Sequence, residues 1–189
     1  FIEKNMRKFS WPLMNNNINH LDKKTLIKFI NSTDKFTNGI KVKNFEKKWS
    51  KWLGVKYSTF VNSGASANLI SLNILKEIKK NKSEVILPAF TWSSDVVSVI
   101  NSGFKPIFVD IKLKNLALDE ELVKKKITKK TAAIFLTHAM GFLGISKKFL
   151  NFINKKKIFL IEDTCESHGV ELDGKKAGTL GGISNFSFY

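Results

Sequence analysis

Four short apolar runs, "EVILPAF", "KPIFVDI", "TAAIFLTHAM" and "IFLIED", recur from residue 84 onward, and a stretch of helical character lies in each gap between them. Their apolar residues follow one another without the in-out alternation of a half-buried strand. A strand of that kind has both faces covered, which is the condition of a parallel sheet sandwiched between helices. The gaps supply the helices: "TWSSDVVSVINSG", residues 119–127 and "SKKFLNFINKK". Upstream, "YSTFVNSG" reads as a strand running into a small-residue turn, followed by the helix "ASANLISLNILKEIKK"; "GISNFSFY" reads as one more strand at the end. The expected fold is therefore α/β, a mostly parallel sheet with helices on both faces.

Residues 1–20 read as an irregular arm. Two helices follow, over residues 21–30 and 41–53, the second carrying Val42, Phe45, Trp49 and Trp52 on one face and stopping at Gly54. The expected division is an N-terminal arm with helices over residues 1–55 and an α/β domain over residues 56–189. No internal repeat or low-complexity linker interrupts it.

The formal charge of +16 raises the possibility of a polyanion-binding module, but the lysines are scattered over polar faces and loops, and Arg7 is the lone arginine. That pattern describes a solvated basic surface rather than a nucleic-acid stripe. A hydrophobic content of 43% argues against disorder. One cysteine, Cys165, excludes an internal disulfide and a cysteine-based metal cluster. No apolar stretch approaches the roughly 20 residues that span a bilayer, and no signal peptide opens the chain, so the expectation is a cytoplasmic protein with neither membrane nor nucleic acid as partner.

In open parallel sheets, ligands bind at the carboxyl ends of the strands. Those ends carry "NSGAS", "PAFTW", "THAMG" and "EDTCESHG". The turn Asn62-Ser63-Gly64-Ala65-Ser66 lets a ligand approach the backbone, and the first turn of the following helix offers N–H groups to an anion. The same turn also reads as an ordinary capped helix start, with Ser63 or Ser66 as the cap. Trp92 is placed either to stack on a flat ring or to fill the core. Asp163 ends a buried strand and needs a cationic partner, either a basic side chain or a protonated ring nitrogen. His138 and His168 are candidate metal ligands or acid–base groups, although no third ligand stands near them in sequence. The acids beside Cys165 raise its pKa and blunt it as a nucleophile.

Taken in order, "FTNGIKVKNFEKKWSKWLGVKYSTFVNSGASANL", "VILPAFTWSSDVVSVINSGFKPIFVDI" and "IEDTCESHGVELDGKKAGTLGGISNFSFY" resemble the DegT/DnrJ/EryC1/StrS sugar aminotransferases, over about residues 11–189. The resemblance implies a pyridoxal-phosphate enzyme of fold type I, with the sheet as its large domain. It implies that Gly64, Ala65 and Ser66 lie against the cofactor phosphate, with Ser187 reaching it from the far side. Trp92 would stack on the pyridine ring, and Asp163 would pair with the ring nitrogen and keep it protonated. Glu166 stands where many members carry glutamine near the ring hydroxyl. An acidic residue nearby also marks the family's dehydratase branch, which uses pyridoxamine phosphate and replaces the Schiff-base lysine with histidine. That lysine follows the serine of "FSF" by five positions, at position 192, so the chain reads as an N-terminal fragment without catalytic lysine or small domain.

By the same resemblance, the substrate is a nucleotide-linked keto-sugar of lipopolysaccharide or other surface-glycan biosynthesis. The amino donor is a compound such as glutamate, and the full-length enzyme is a homodimer. Amino transfer is the first expectation, sugar 3-dehydration the alternative, and a non-catalytic basic module the remote one.

Overall fold

The structure, a computed structural model, describes residues 17–188; residues 1–16 of the expected arm, and Tyr189, lie outside the described residues. The chain divides into two compact units, the first ending at Lys43 and the second beginning at Asn44.

The described part of the first unit is built around helix α1 (His20–Asn31). Its start is set by a reciprocal cap. The Asn19 side chain accepts from the N–H groups of Leu21 (2.8 Å) and Asp22 (3.1 Å), while Asp22 accepts from the Asn19 N–H at 2.9 Å. Helix α2 (Ile40–Leu53) then leads into the second unit, where it ends as expected at Gly54, with φ +88°.

The second unit holds the sheet. In chain order its elements are α3 (Gly64–Ile78), β1 (Glu84–Pro88), α4 (Ser93–Asn101), β2 (Lys105–Val109), β3 (Ile111–Lys112), β4 (Ala117–Leu118), α5 (Glu120–Lys126), β5 (Thr131–Thr137), α6 (Lys147–Lys155), β6 (Phe159–Asp163), β7 (Glu171–Leu172), β8 (Lys175–Lys176) and β9 (Ile183–Asn185). Five strands form one sheet in the order β2-β1-β5-β6-β9, and every pairing within it is parallel. The two-stranded pieces β3-β4 and β7-β8 are short antiparallel excursions that the apolar pattern does not announce.

The uninterrupted apolar runs have the two-sided burial they predict. Val85, Leu87, Ala133, Phe135 and Ile161 pack with Leu72 and Leu75 of α3 and Val99 of α4 on one face. Ile86, Ile134, Leu136 and Leu160, their neighbours in sequence, pack with Val123 of α5 and Phe149 and Ile153 of α6 on the other.

One expected strand is absent. "YSTFV" takes no part in a described sheet, and the Phe60 N–H donates instead to the Glu46 carboxylate, at 2.9 Å. A strand needs a neighbouring backbone, and among the described residues this segment has none.

The strand order sets the location of the site. From β1 the chain crosses to β2 on one side, then returns past β1 to place β5 on the other. The switch point lies between the carboxyl ends of β1 and β5, where an α/β sheet opens a crevice. Thr91, just beyond β1, and Thr137, ending β5, meet there with their hydroxyls 2.6 Å apart.

Candidate active site

β6 ends in two carboxylates, and a strand turns successive side chains to opposite faces. Glu162 is fully buried and is met by four donors. One oxygen accepts from the N–H groups of Leu180 (2.8 Å) and Gly181 (2.7 Å); the other accepts from Gly178 N–H (2.9 Å) and lies 3.0 Å from His138 Nε2. His138 Nδ1 accepts from the Gly144 N–H at 2.9 Å, so the ring proton sits on Nε2 and is donated to Glu162. Both of the ring's nitrogens are thereby committed. His138 is a buried structural group, and the acid–base role open to it in the sequence does not survive its geometry.

The glycines of "GTLGG" make this clamp possible. A Cβ on Gly181 would stand 2.5 Å from the Leu160 carbonyl oxygen, so only glycine lets the loop lie close enough to the strand for its N–H groups to reach Glu162.

Asp163 is buried on the other side, and its carboxylate accepts from the Cys165 N–H at 2.9 Å. The cationic side chain that a buried aspartate calls for is not supplied: among the described residues no ion pair includes it. Its ionisable neighbour is a second carboxylate, Asp95 of α4. Asp95 is fully buried; it accepts from Asn68 Nδ2 at 2.7 Å, from the Thr91 hydroxyl in close contact, and from the Thr137 hydroxyl at 3.3 Å. Asn68 in turn accepts from Asn185 Nδ2 at 2.8 Å, and Asn185 Oδ1 accepts from the Ser71 hydroxyl at 2.7 Å. Burial first, and the Asp163 charge second, push the Asp95 carboxyl up to about 8. Cys165 is pushed up too, by burial and then by Asp163, which leaves it a poor nucleophile.

Helix α3 opens this face. Ser63 is its cap: the hydroxyl accepts from the Ser66 N–H at 3.1 Å, and Ser66 Oγ lies at the same distance from it. Gly64 is a close approach, since a Cβ there would stand 3.5 Å from Ser187 Cβ and 3.7 Å from Cys165 Sγ. The first turn of α3, the end of β9 and the turn after Asp163 thus converge. Thr164, fully buried one residue past Asp163, has a hydroxyl with no hydrogen-bond partner among the described residues.

Beside Gly64 and Ser187 lies a cleft of about 780 Å³, with Asn62, Ser63, Asn185 and Phe188 also in its lining; neither Asp163 nor Trp92 lines it. Trp92 stands at the start of α4 with its side chain 67% exposed, so it is not a core residue. Ala65 is exposed as well. Glu166 is exposed, and its carboxylate accepts from the Met140 N–H at 2.8 Å beyond the end of β5. His168 belongs to an aromatic cluster with Trp49, Phe186 and Phe188, ring centroids 5.3–5.6 Å from its own, and burial lowers its pKa.

Asp95, Asn68, Thr137 and Asn185 carry no motif of their own. Their sequence signal is a polar residue inside an otherwise apolar face, as in "SSDVVSVI", and that signal names no partner.

A sequence model of the DegT/DnrJ/EryC1/StrS aminotransferase family matches residues 17–189. GDP-4-keto-6-deoxy-D-mannose 3-dehydratase of Yersinia pseudotuberculosis is 36% identical over 97% of this chain and 48% of its own length. GDP-perosamine synthase of Vibrio cholerae is 33% identical over 81% of this chain and 41% of its own. Among solved structures, a GDP-4-keto-6-deoxymannose-3-dehydratase variant with bound GDP-perosamine superposes with a TM-score of 0.88 at 33% identity, covering 95% of this chain and 47% of that one. The chain thus spans about half the length of such relatives.

Two outcomes follow from the buried carboxylates, each to be measured in the full-length protein. Glu162→Ala strands His138 Nε2–H and three backbone N–H groups, and is expected to cost about 3–5 kcal/mol in urea unfolding. With its carboxyl raised from the ordinary 3.8 to about 8, Asp95 is expected to take up a proton on folding in the range between those values. That contribution to stability is complete below about pH 4, erodes as pH rises and is gone above about pH 8, with a slope of up to about 1.4 kcal/mol per pH unit. Unfolding of ligand-free protein from pH 5 to 8 should show the decline, and Asp95→Asn should flatten it.

Proposed function

Because the chain belongs to the DegT/DnrJ/EryC1/StrS aminotransferase family, we propose that it forms the cofactor-cradling part of a pyridoxal- or pyridoxamine-phosphate enzyme acting on a nucleotide-linked keto-sugar. The observation that carries this reading is Asp163: a buried carboxylate at the carboxyl end of a central strand, with an acid rather than a base as its ionisable neighbour. A cationic heterocycle satisfies it. The remaining groups fit the same guest. The α3 first turn at Gly64, Ala65 and Ser66 offers N–H groups to a phosphate, and Ser187 lies against Gly64 from the end of β9. The Thr164 hydroxyl is a further buried group for a ligand to satisfy. Trp92, exposed at the mouth of α4, is available to cover a ring.

Once bound, the cofactor supplies an electron sink for negative charge at the carbon that bears the amino group. The part of this chain is to keep it in that state. Asp163, shielded from water, would hold the proton on the ring nitrogen, and burial would strengthen that charge pairing relative to water. Glu166, anchored by the Met140 N–H, is the residue that the family resemblance would set near the ring hydroxyl.

Removal of a sugar hydroxyl and transfer of an amino group both fit this cradle. The resemblance alone put amino transfer first. Likeness to 3-dehydratases over nearly the whole chain, together with the acid at Glu166, moves deoxygenation ahead of it. Perosamine synthases among the relatives keep amino transfer, with glutamate as donor, as the second reading. In either case the full-length enzyme is read as a cytoplasmic homodimer of surface-glycan biosynthesis.

The full-length protein, given GDP-4-keto-6-deoxymannose, glutamate and pyridoxal phosphate, should yield by mass spectrometry a keto-sugar lacking one oxygen. Exchange of the keto oxygen for an amino group establishes the second reading. Asp163→Ala should abolish either product and weaken pyridoxal phosphate binding about a hundredfold, as expected for loss of a buried charge partner. Undiminished binding by that variant would overturn the cradle.

A further inference from the structure

Asp95 is a buried acid to which the proposed reaction assigns no task. It lies where the sheet's polar groups converge. Thr137, whose hydroxyl touches Asp95, is the register partner of Asp163 on β5; Asn185, linked to Asp95 through Asn68, is its register partner on β9. The strand-end carboxylate is thus flanked by Thr137, which touches Asp95, and by Asn185, which reaches Asp95 through Asn68. Asp163 and Cys165 are the ionisable groups that interact electrostatically with Asp95, and both become negative on ionising. Glu162 on β6 is held by His138 and the glycine loop, and Lys76 and Glu77 on α3 form no ion pair with either acid. Asn68, Thr91 and Thr137, its other neighbours, are neutral. No Lys, Arg or His among the described residues forms an ion pair with either acid.

Two carboxylates buried together without a cation cannot both be ionised near neutrality. We propose that Asp95 is a positioning residue for Asp163, retaining a proton that it donates to the Asp163 carboxylate, so that Asp163 is held ionised and oriented toward the ring nitrogen of the cofactor. This rests on the cofactor reading above for its last step, but the retained proton concerns this chain alone. The direction in which burial moves Asp95 agrees with it. Division of labour follows: one acid keeps the proton, so the other keeps the charge. Asparagine at position 95 retains a donor of the same shape, whereas alanine removes it and also strands Asn68 Nδ2.

The test uses the full-length protein, Asp95→Asn and Asp95→Ala. Infrared spectra at neutral pH should show the carbonyl stretch of a buried protonated carboxyl in the parent, and its loss in Asp95→Asn. Pyridoxal phosphate titrated into each protein should bind Asp95→Asn within about threefold of the parent and Asp95→Ala at least about tenfold more weakly, the scale of one buried hydrogen bond. A parent without the protonated-carboxyl band overturns the proposal. So does Asp95→Asn binding as weakly as Asp95→Ala, since the charge and not the donor would then matter, or Asp95→Ala binding like the parent. If Asp95→Ala does not fold, the band and the Asp95→Asn affinity decide. If none of the proteins binds pyridoxal phosphate while the band behaves as expected, the cofactor reading fails and the Asp95 proton stands.

Discussion

The arrangement around the sheet's carboxyl edge depends on Glu162. Removing a carboxylate from water costs several kcal/mol unless donors replace the hydration it loses. Here four do so, one from the ring of His138 and three from the loop that carries Gly178, Leu180 and Gly181. The bonds tie the end of β5 to β6 and draw the glycine loop down onto β6, which brings the chain into register for β9. β9 in turn carries Asn185 and Ser187 to the opposite face. A structural anion on one side of the strand thus sets the geometry of the candidate site on the other.

That separation comes from the pleat. Glu162 and Asp163 are adjacent and chemically alike, yet one is saturated by the protein's own donors and the other is set against a second acid. The first is complete as it stands. The second has an electrostatic deficit that a cation can fill, and it lies beside a helix start suited to an anion. A zwitterionic guest, with a cationic ring and a phosphate, matches the two together better than either alone.

Much of the fold is legible in the chain. Runs such as "AAIFL" lack alternation because both sheet faces are covered, and helices α3, α4 and α6 start and stop where small, capping and glycine residues say they should. Part of the geometry is legible as well: the small-residue turn at Gly64 approaches both C-terminal motif segments, at Ser187 and at Cys165. "YSTFV" was misjudged because strand propensity says nothing of a missing neighbour. His138 looked like chemistry because a histidine beside a sheet edge has that appearance until both ring nitrogens are accounted for. Asp95 has no sequence signal that pairs it with Asp163, since 68 residues separate the two.

What the sequence determined by itself was the parallel α/β class, the placement of the four buried strands with the helices between them, and the family to which its motifs belong. These rest on periodicity, capping and short-range order, which neighbouring residues encode. Only the tertiary structure decided which carboxylate the protein's own donors saturate and which two are buried without a cation among the described residues. Those roles depend on burial and on distances between residues far apart in the chain, and strand register and helix packing alone set them.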